Sequence, residues 1–321
     1  MHSDNTETSE VTVIIPNYNN ANLLSKLLDS LKNIPTRHET IIVDNNSTDD
    51  SLEVINAYSS NITLIKNDRN MGFAYAVNQA IRKATTDYVF LLNNDTEVDE
   101  DFLEHSLELI KEHDNVFAVA SKMIQYHDKT LIDDAGDEYN LLAWSKKRGL
   151  DQPVTKYDTD CEVFGVCAGA ALYKKDVFDE IGLFDEKFES YVEDTDLNFR
   201  ARMMGYKAYY SSKSVVYHHG SATTGSRYNA FKIRLSARNN VYLIWKNMPV
   251  WMKIINSPFM ALGFLIKFLY FKRKGYSSDY EEGVLEAIAT RNKIGTNKKY
   301  TLPNMMKIEW QMIKNTIKYP F

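Results

Sequence analysis

Val11-Thr12-Val13-Ile14-Ile15-Pro16-Asn17-Tyr18-Asn19-Asn20 decides the fold: a β-branched apolar run that ends abruptly in a polar, asparagine-rich turn. The same grammar returns in ETIIVDNNSTD (39–49) and in DYVFLLNND (87–95), with a shorter run, ITLIK (62–66), between them. Helical stretches separate these runs, over residues 21–32, 50–59 and 73–84, each with apolar positions three or four apart. In the last, Phe73, Val77, Ala80, Ile81 and Ala84 form the stripe that faces a core. Strands alternating with helices of this length cross over into a mainly parallel sheet, so the expected class is α/β, a central sheet flanked by helices. A further helix over 99–112 and a strand over 116–121 continue the pattern.

Beyond that point residues 126–159 lose periodicity and gain charge, which reads as a long irregular segment over one sheet edge. Long loops in compact domains are usually functional. Order returns with FGVCAGAALYKK (164–175), a strand of small residues, then a helix over 194–204 and strands over 206–210 and 214–217. From residue 228 the chain becomes helical and rich in aromatics, Met, Lys and Arg. Three parts follow: a disordered tail over 1–10, an α/β domain over 11–227 and a helical region over 228–321.

The 321 residues are 44% hydrophobic and 25% charged, ordinary for a globular protein that buries a large core. A net charge of −5 gives no global reason to expect a nucleic-acid partner. The polar start carries neither a signal peptide nor an anchor, so the expected location is the cytoplasm. Cys161 and Cys167 lack a metal-ligand spacing and read as small core residues.

Open parallel sheets bind ligands beyond the carboxyl ends of their strands. Pro16, Asn17 and Tyr18 follow the first strand, Asp44 the second, and Asn93, Asn94 and Asp95 the fourth. One such cluster is ordinarily a turn or a helix cap. Three at one edge point to a ligand, and Asp44 suits the imide N–H of uracil or thymine, with Ser47 and Asp49 left as caps. Gly72 permits a close backbone approach before a helix. Asn78, inside that helix, is either satisfied by backbone in the core or turned to the ligand. Neither GxGxxG nor GxxxxGK[ST] follows a strand, which disfavours a Rossmann dehydrogenase and a P-loop enzyme.

The ordered set VTVIIPNYNN, IIVDNNSTDDS, NMGFAYAVNQAI, LLNNDTEVD, CAGAALYKKDVFDEIGLFDEKF, YVEDTDLNFRARMMGY and VVYHHGS resembles the family 2 glycosyltransferases, in particular the branch with bacterial rhamnosyltransferases of surface-polysaccharide assembly. The likeness runs from Val11 to Arg238. It implies a GT-A fold, a nucleotide-sugar donor (dTDP- or UDP-linked), a glycan or lipid-linked glycan acceptor, and a divalent metal, Mn2+ or Mg2+. Carried over by position, Asp95 in Asn93-Asn94-Asp95 is a metal ligand, although the family's second acid is absent, and His218 completes the site. Asp194 becomes the catalytic base of an inverting transfer, Glu193 and Asp196 shape the acceptor pocket, and Ala168 and Gly169 pack beside the donor sugar. The alternatives are a sugar-phosphate nucleotidyltransferase, disfavoured because no Gly-rich basic loop follows the first strand, and a catalytically silent membrane-associated assembly protein of the same fold.

Arg238-Asn239 resembles a basic element late in this branch. The apolar stretch over 250–271, interrupted by Lys253, Asn256, Ser257, Pro258 and Lys267, reads as an interfacial hairpin or helix pair with Lys272, Arg273 and Lys274 toward anionic headgroups, or as packing helices. The first reading places the protein peripherally on the inner face of the cell membrane.

Overall fold

The structure, a computed structural model, describes residues 9–58, 62–220 and 229–318. The expected disordered tail lies outside these residues except for Ser9 and Glu10, which are tied to the sheet: the carbonyl of Glu10 accepts from the Tyr88 amide, and its carboxylate pairs with Lys111. The expected boundary at 227/228 and the end of the second helix, Ser59, also lie outside.

Strands β1 (Val11–Asn17), β2 (His38–Asp44), β3 (Ile62–Lys66) and β4 (Tyr88–Leu92) form the parallel half of the sheet, with β1 at its centre between β2 and β4. Alternation along β1 serves both faces. Val11, Val13 and Ile15 meet α1 (Ala21–Lys32) and α4 (Phe102–Glu112), whereas Ile14 meets α3 (Phe73–Lys83). Helix α3 buries Val77, Ala80 and Ile81 as its spacing predicts, with Ala84 buried just past its end, while Phe73 is half-buried and Ala74 takes the inner position; α2 (Ser51–Ala57) precedes β3.

The other half is mixed. The strand of small residues, β11 (Ala170–Lys174), inserts antiparallel between β4 and β6 (Val116–Gln125). Residues 206–217, expected as two strands, are one, β12 (Lys207–His218), which runs parallel to β6. A bulge between Ser211 and Val215 accounts for the apparent break, and Ser214 is held there by the hydroxyls of Ser106 and Ser121, each 2.8 Å away. Two short strands, β5 (Thr96–Val98) and β10 (Cys161–Val163), pair antiparallel with β12.

The expectation of an irregular segment over 126–159 is corrected. Its residues make β7 (Ile132–Asp134) on β6 and a hairpin of β8 (Asp137–Tyr139) and β9 (Ser145–Lys147), with Leu141, Leu142 and Ala143 buried in the turn. These three-residue strands carry charges inward, so they show no apolar period. Lys147 compensates Asp133 at 2.7 Å.

Helix α5 (Val177–Ile181) and α6 (Glu193–Met204) complete the α/β part, and α7 (Ala230–Asn247), α8 (Val250–Lys274), α9 (Ser277–Thr290) and α10 (Leu302–Lys318) follow. They share a core with it: Tyr139, Phe164, Phe188 and Phe199 pack with Tyr242, Met305, Ile308 and Met312. The expected hairpin over 250–271 is instead one helix running through Pro258. Proline cannot donate to the carbonyl of Ile254, and the neighbouring Ser257 hydroxyl does so at 2.9 Å, which keeps the turn satisfied.

Candidate active site

The parallel register sets Asn17 beside Asp44 at the carboxyl edge, and Asn93-Asn94-Asp95 ends β4 on the other side of β1. The side chains form a relay. Asn94 Nδ2 donates to Asn17 Oδ1 at 2.7 Å and Asn17 Nδ2 to Asp44 Oδ1 at 2.9 Å, while the Ser47 hydroxyl and amide also donate to Asp44. An ionised carboxylate accepts about four hydrogen bonds, so Asp44 retains room for one more. Asn19, Asn20 and Asn46 adopt left-handed backbone, which asparagine tolerates, so part of the asparagine richness is turn geometry. Asp49 caps as expected, accepting from Ser51 and from the Ala21 amide at the start of α1. Pro16, Tyr18 and Asn93 are half-buried at this edge.

Asp95, in the turn between β4 and β5, meets His218, the last residue of β12, with Nε2 3.5 Å from Oδ1. The other imidazole nitrogen, Nδ1, lies 3.0 Å from Asp133 Oδ2 on β7, and Lys147 of β9 holds the same carboxylate. Burial works against charge on His218, but hydrogen bonds to Asp133 and Asp95 overcome it and raise the imidazole to about 9. Burial would likewise raise Asp95, and the hydrogen bond and charge of His218 leave it below the ordinary carboxylate range. Among the described residues no three His, Cys, Asp or Glu side chains converge on one point. In this state His218 is protonated and pairs with Asp95; a divalent cation that displaces the Nε2 proton would find one carboxylate oxygen and one imidazole nitrogen there, with its remaining ligands to come from phosphate and water. Asp133 and Lys147 were hidden in the segment read as irregular; its unusual length was the available signal.

The acids of α6 divide sharply. Asp196 is fully buried and committed to Arg200 Nε at 2.9 Å, Lys246 at 2.9 Å and Asn247 at 2.7 Å. Glu193 is 6% exposed with Oε2 unpartnered, and burial raises its carboxyl well above the usual range. Only Asp194 of the three is half-buried. Its oxygens accept from the Thr195 amide at 2.7 Å and the Ala168 amide at 3.4 Å, and burial raises it as well. The expectation that Asp196 shapes an acceptor pocket meets a physical obstacle, since its carboxylate has no surface to offer.

The loop before α6 is strained. Glu189, Tyr191 and Val192 all have positive φ, and for a β-branched valine at +70° this is a genuine outlier. Helix α7 clamps it: Asn239 Nδ2 donates to the carbonyls of Phe188, Ser190 and Tyr191, and Arg238 pairs with Glu189 at 2.9 Å. Gly72 is explained by the same loop, because at φ +82° a Cβ would sit 3.0 Å from the Glu189 carbonyl. Asn78 resolves to the core alternative: its amide donates to the Phe184 carbonyl and to Glu186, and its oxygen accepts from the Phe184 amide. Gly169 leaves room for Asn93, whose Nδ2 would lie 2.9 Å from a Cβ there. Cys161 and Cys167, expected in the core, are half-buried instead. An open cleft of about 540 Å³ lined by Asn78, Arg82 and residues 183–187 includes none of the strand-end residues.

A family model described as Glycosyl transferase family 2 matches residues 12–182, more than half of the chain. The amylovoran biosynthesis glycosyltransferase AmsB of Erwinia amylovora is 25% identical over 298 residues, 87% of this chain and 97% of that protein. The O-antigen biosynthesis protein RfbC of Myxococcus xanthus is 25% identical over 228 residues, 67% of this chain but 18% of that longer protein. Among solved structures, the mannosyltransferase PcManGT from Pyrobaculum calidifontis, in complex with GDP-Man and Mn2+, superposes over 98% of this chain and 82% of its own with a TM-score of 0.57 at 18% identity. GalNAc-T7 with UDP, GalNAc and Mn2+ gives 0.58 over 73% of this chain and 48% of its own at 15% identity. With the strand-end relay and Asp95 inside the matched span, and α6 and His218 beyond it, the chain belongs to glycosyl transferase family 2, and its fold is GT-A.

Proposed function

We propose that the protein moves a sugar from a dTDP- or UDP-linked donor to a hydroxyl of a glycan or lipid-linked glycan in surface-polysaccharide assembly, with inversion at the anomeric carbon. The donor sugar to test first is rhamnose, from the order of the motifs. The relatives named for amylovoran and O-antigen biosynthesis support the acceptor class, and the two solved neighbours with bound nucleotide and Mn2+ support the donor class. Membership of a transferase family favours this over a nucleotidyltransferase or a silent assembly protein.

One observation carries the mechanism: of three acids in the first turn of α6, Asp194 alone is half-buried, the other two being buried. Burial raises its carboxyl above the ordinary range, which makes the carboxylate a stronger proton acceptor. Asp194 removes the acceptor hydroxyl proton as that oxygen bonds to the anomeric carbon, while the carbon–oxygen bond to the nucleoside diphosphate breaks on the opposite face. Asp44, with its remaining acceptor position, takes the imide N–H of the base. Asp95 and His218 would hold a divalent ion, which would supply positive charge toward the departing diphosphate. Asp133 orients His218, and Asp196 anchors α6 instead of touching substrate.

Asp194→Asn tests the reading. Transfer should fall by about 10²–10⁴-fold, with nucleoside-diphosphate affinity little changed and Glu193→Gln much milder. Near-normal transfer by Asp194→Asn moves the base elsewhere.

Peripheral membrane attachment belongs to the same proposal. By length and composition α8 can cross a bilayer, being 25 residues of high hydropathy. Its inner face, however, is held by Asn256 donating to Glu309 at 2.8 Å and by Gly263, where a Cβ would meet the Leu142 carbonyl at 2.1 Å. The outer face exposes Val250, Ile254, Leu262, Leu265 and Leu269, and Lys272, Arg273 and Lys274 close the helix. A helix pinned along one side with an apolar opposite side lies on a membrane.

A further inference from the structure

Helices α7, α8 and α9 leave an apolar cleft of about 290 Å³ between them. Val241, Ile244 and Trp245 line it from α7, Met260 and Phe264 from α8, and Val284 and Ile288 from α9. The cleft is open at α9, where Ile288 is 47% exposed and Leu285 beside it 56%. A space walled by seven apolar side chains forfeits the dispersion contacts its lining atoms would otherwise make, and nothing polar in the wall would hold water there.

Trp245 is a shared wall. On its ring sit two cations, Lys253 Nζ at 4.7 Å and the Arg291 guanidinium at 5.2 Å from the centroid. Among the described residues neither makes an ion pair with a carboxylate, in a chain where acids outnumber bases by 43 to 38. Lys253 donates to the Trp245 carbonyl and Arg291 to the Ile288 carbonyl. An ammonium has three N–H donors and a guanidinium five, so both keep donors to spare. The two cations do not line the slot but lie over the ring of one of its lining side chains, and a hydrocarbon slot with two cations beside it is complementary to an amphiphile with an anionic head.

We propose that this cleft binds one molecule of a bilayer phospholipid, its acyl chain between α7, α8 and α9 and its phosphate diester between Lys253 and Arg291. The inference rests on the peripheral attachment proposed above and gives it a specific contact in addition to the diffuse apolar face of α8. A bulk phospholipid is the occupant, and not the acceptor, because no lining residue and neither cation belongs to the strand-end site. Lipid capture here also bears on catalysis, since α7, which supplies three of the walls, carries the Asn239 and Lys246 contacts that position the loop and helix of Asp194.

The test uses the full chain and no bilayer. Calorimetric titration with dioctanoyl phosphatidylglycerol below its micellar concentration should saturate at one lipid per chain. The Lys253→Gln/Arg291→Gln pair should weaken it by about tenfold or more, as loss of charge-assisted contacts requires. Ile288→Trp, which fills the cleft from an exposed position, should abolish it without loss of folding, and either variant suffices if the other fails to fold. Octyl maltoside and inorganic phosphate, each supplying half of the ligand, should compete only weakly. Equal competition by octyl maltoside overturns the phosphate contact, and tighter binding of farnesyl phosphate overturns the choice of phospholipid over an isoprenoid carrier. Unchanged affinity in folded variants overturns the site. Vesicle sedimentation, measured separately, distinguishes the two readings: a chain that binds the soluble lipid but ignores vesicles refutes attachment alone, and the converse refutes the cleft alone.

Discussion

Around the ends of β1, β4 and β12 and in the first turn of α6 the protein buries polar groups such as Asn17, Asn94, Asp95 and Asp196, whereas along α8 and α10 it exposes apolar ones such as Ile254, Leu262, Met306 and Trp310. Both depart from ordinary partition, but only the first is compensated within the chain. Asn94, Asn17, Asp44 and Ser47 satisfy one another, and Asp196 is held by Arg200, Lys246 and Asn247. The apolar face has no such partner among the described residues. A buried polar network can be complete before a ligand arrives and wait in the correct geometry, while an exposed apolar face of this extent marks a surface that another phase or molecule covers.

The sharpest way to break that contrast is at Asp95. Asp95→Ala should abolish donor turnover, and exhaustive EDTA treatment should do the same to the unaltered protein, with manganese restoring it at least as well as magnesium. Full turnover after EDTA would show that the strand-end network works without a cation.

A smaller effect is expected at Asp196, where the contrast concerns stability. Burial alone would raise this carboxyl, but Arg200, Lys246 and the Asn247 hydrogen bond hold it below its usual range. With the folded pKa depressed, the contribution is present above the unfolded value of about 3.9. It is lost as pH falls through the folded pKa. Asp196→Asn, which leaves two cations short of a buried partner, should cost about 3–5 kcal/mol at pH 7 and flatten the acid limb of a denaturation-against-pH curve. A loss under about 1 kcal/mol would mean that water reaches the network.

Next comes Asp133, which touches His218 and no proposed substrate atom. Asp133→Asn should weaken manganese affinity about 10–100-fold, read by manganese paramagnetic relaxation of bound water, with turnover recovering at saturating metal. Equal loss at all manganese concentrations would make Asp133 part of the fold instead of an orienting group.

The smallest effect on folding should come from the exposed face. Ile254→Glu with Leu262→Glu should change the unfolding free energy by no more than about 0.5 kcal/mol, yet abolish sedimentation with anionic vesicles at low salt. Salt should reduce sedimentation of the unaltered protein too, because attraction by Lys272, Arg273 and Lys274 is screened within a Debye length. Large destabilisation by the pair would show that α8 packs on both sides.

What the amino-acid order settled alone were the features with a local physical signature. β-Branched apolar runs and three-to-four spacings placed β1 to β4, α1 and α3, because those residues touch the core through their own element. Strand ends placed Asn17, Asp44 and Asp95 at one edge, because parallel strands point their carboxyl ends the same way. Other features depended on partners distant in the chain. Residues 126–159 looked irregular since Asp133 and Lys147 are stabilised by each other and by His218, 85 residues downstream of Asp133, and a charge pair has no period. Nothing near Asn78 in sequence reveals the Phe184 backbone that consumes its amide, and a glycine at 72 does not announce that Glu189 presses on it. Among Glu193, Asp194 and Asp196, close in sequence and chemically alike, only tertiary packing decided which carboxylate stays half-buried: Lys246 and Asn247 arrive from α7 to bury Asp196, the interior encloses Glu193, and Asp194 is left partly open.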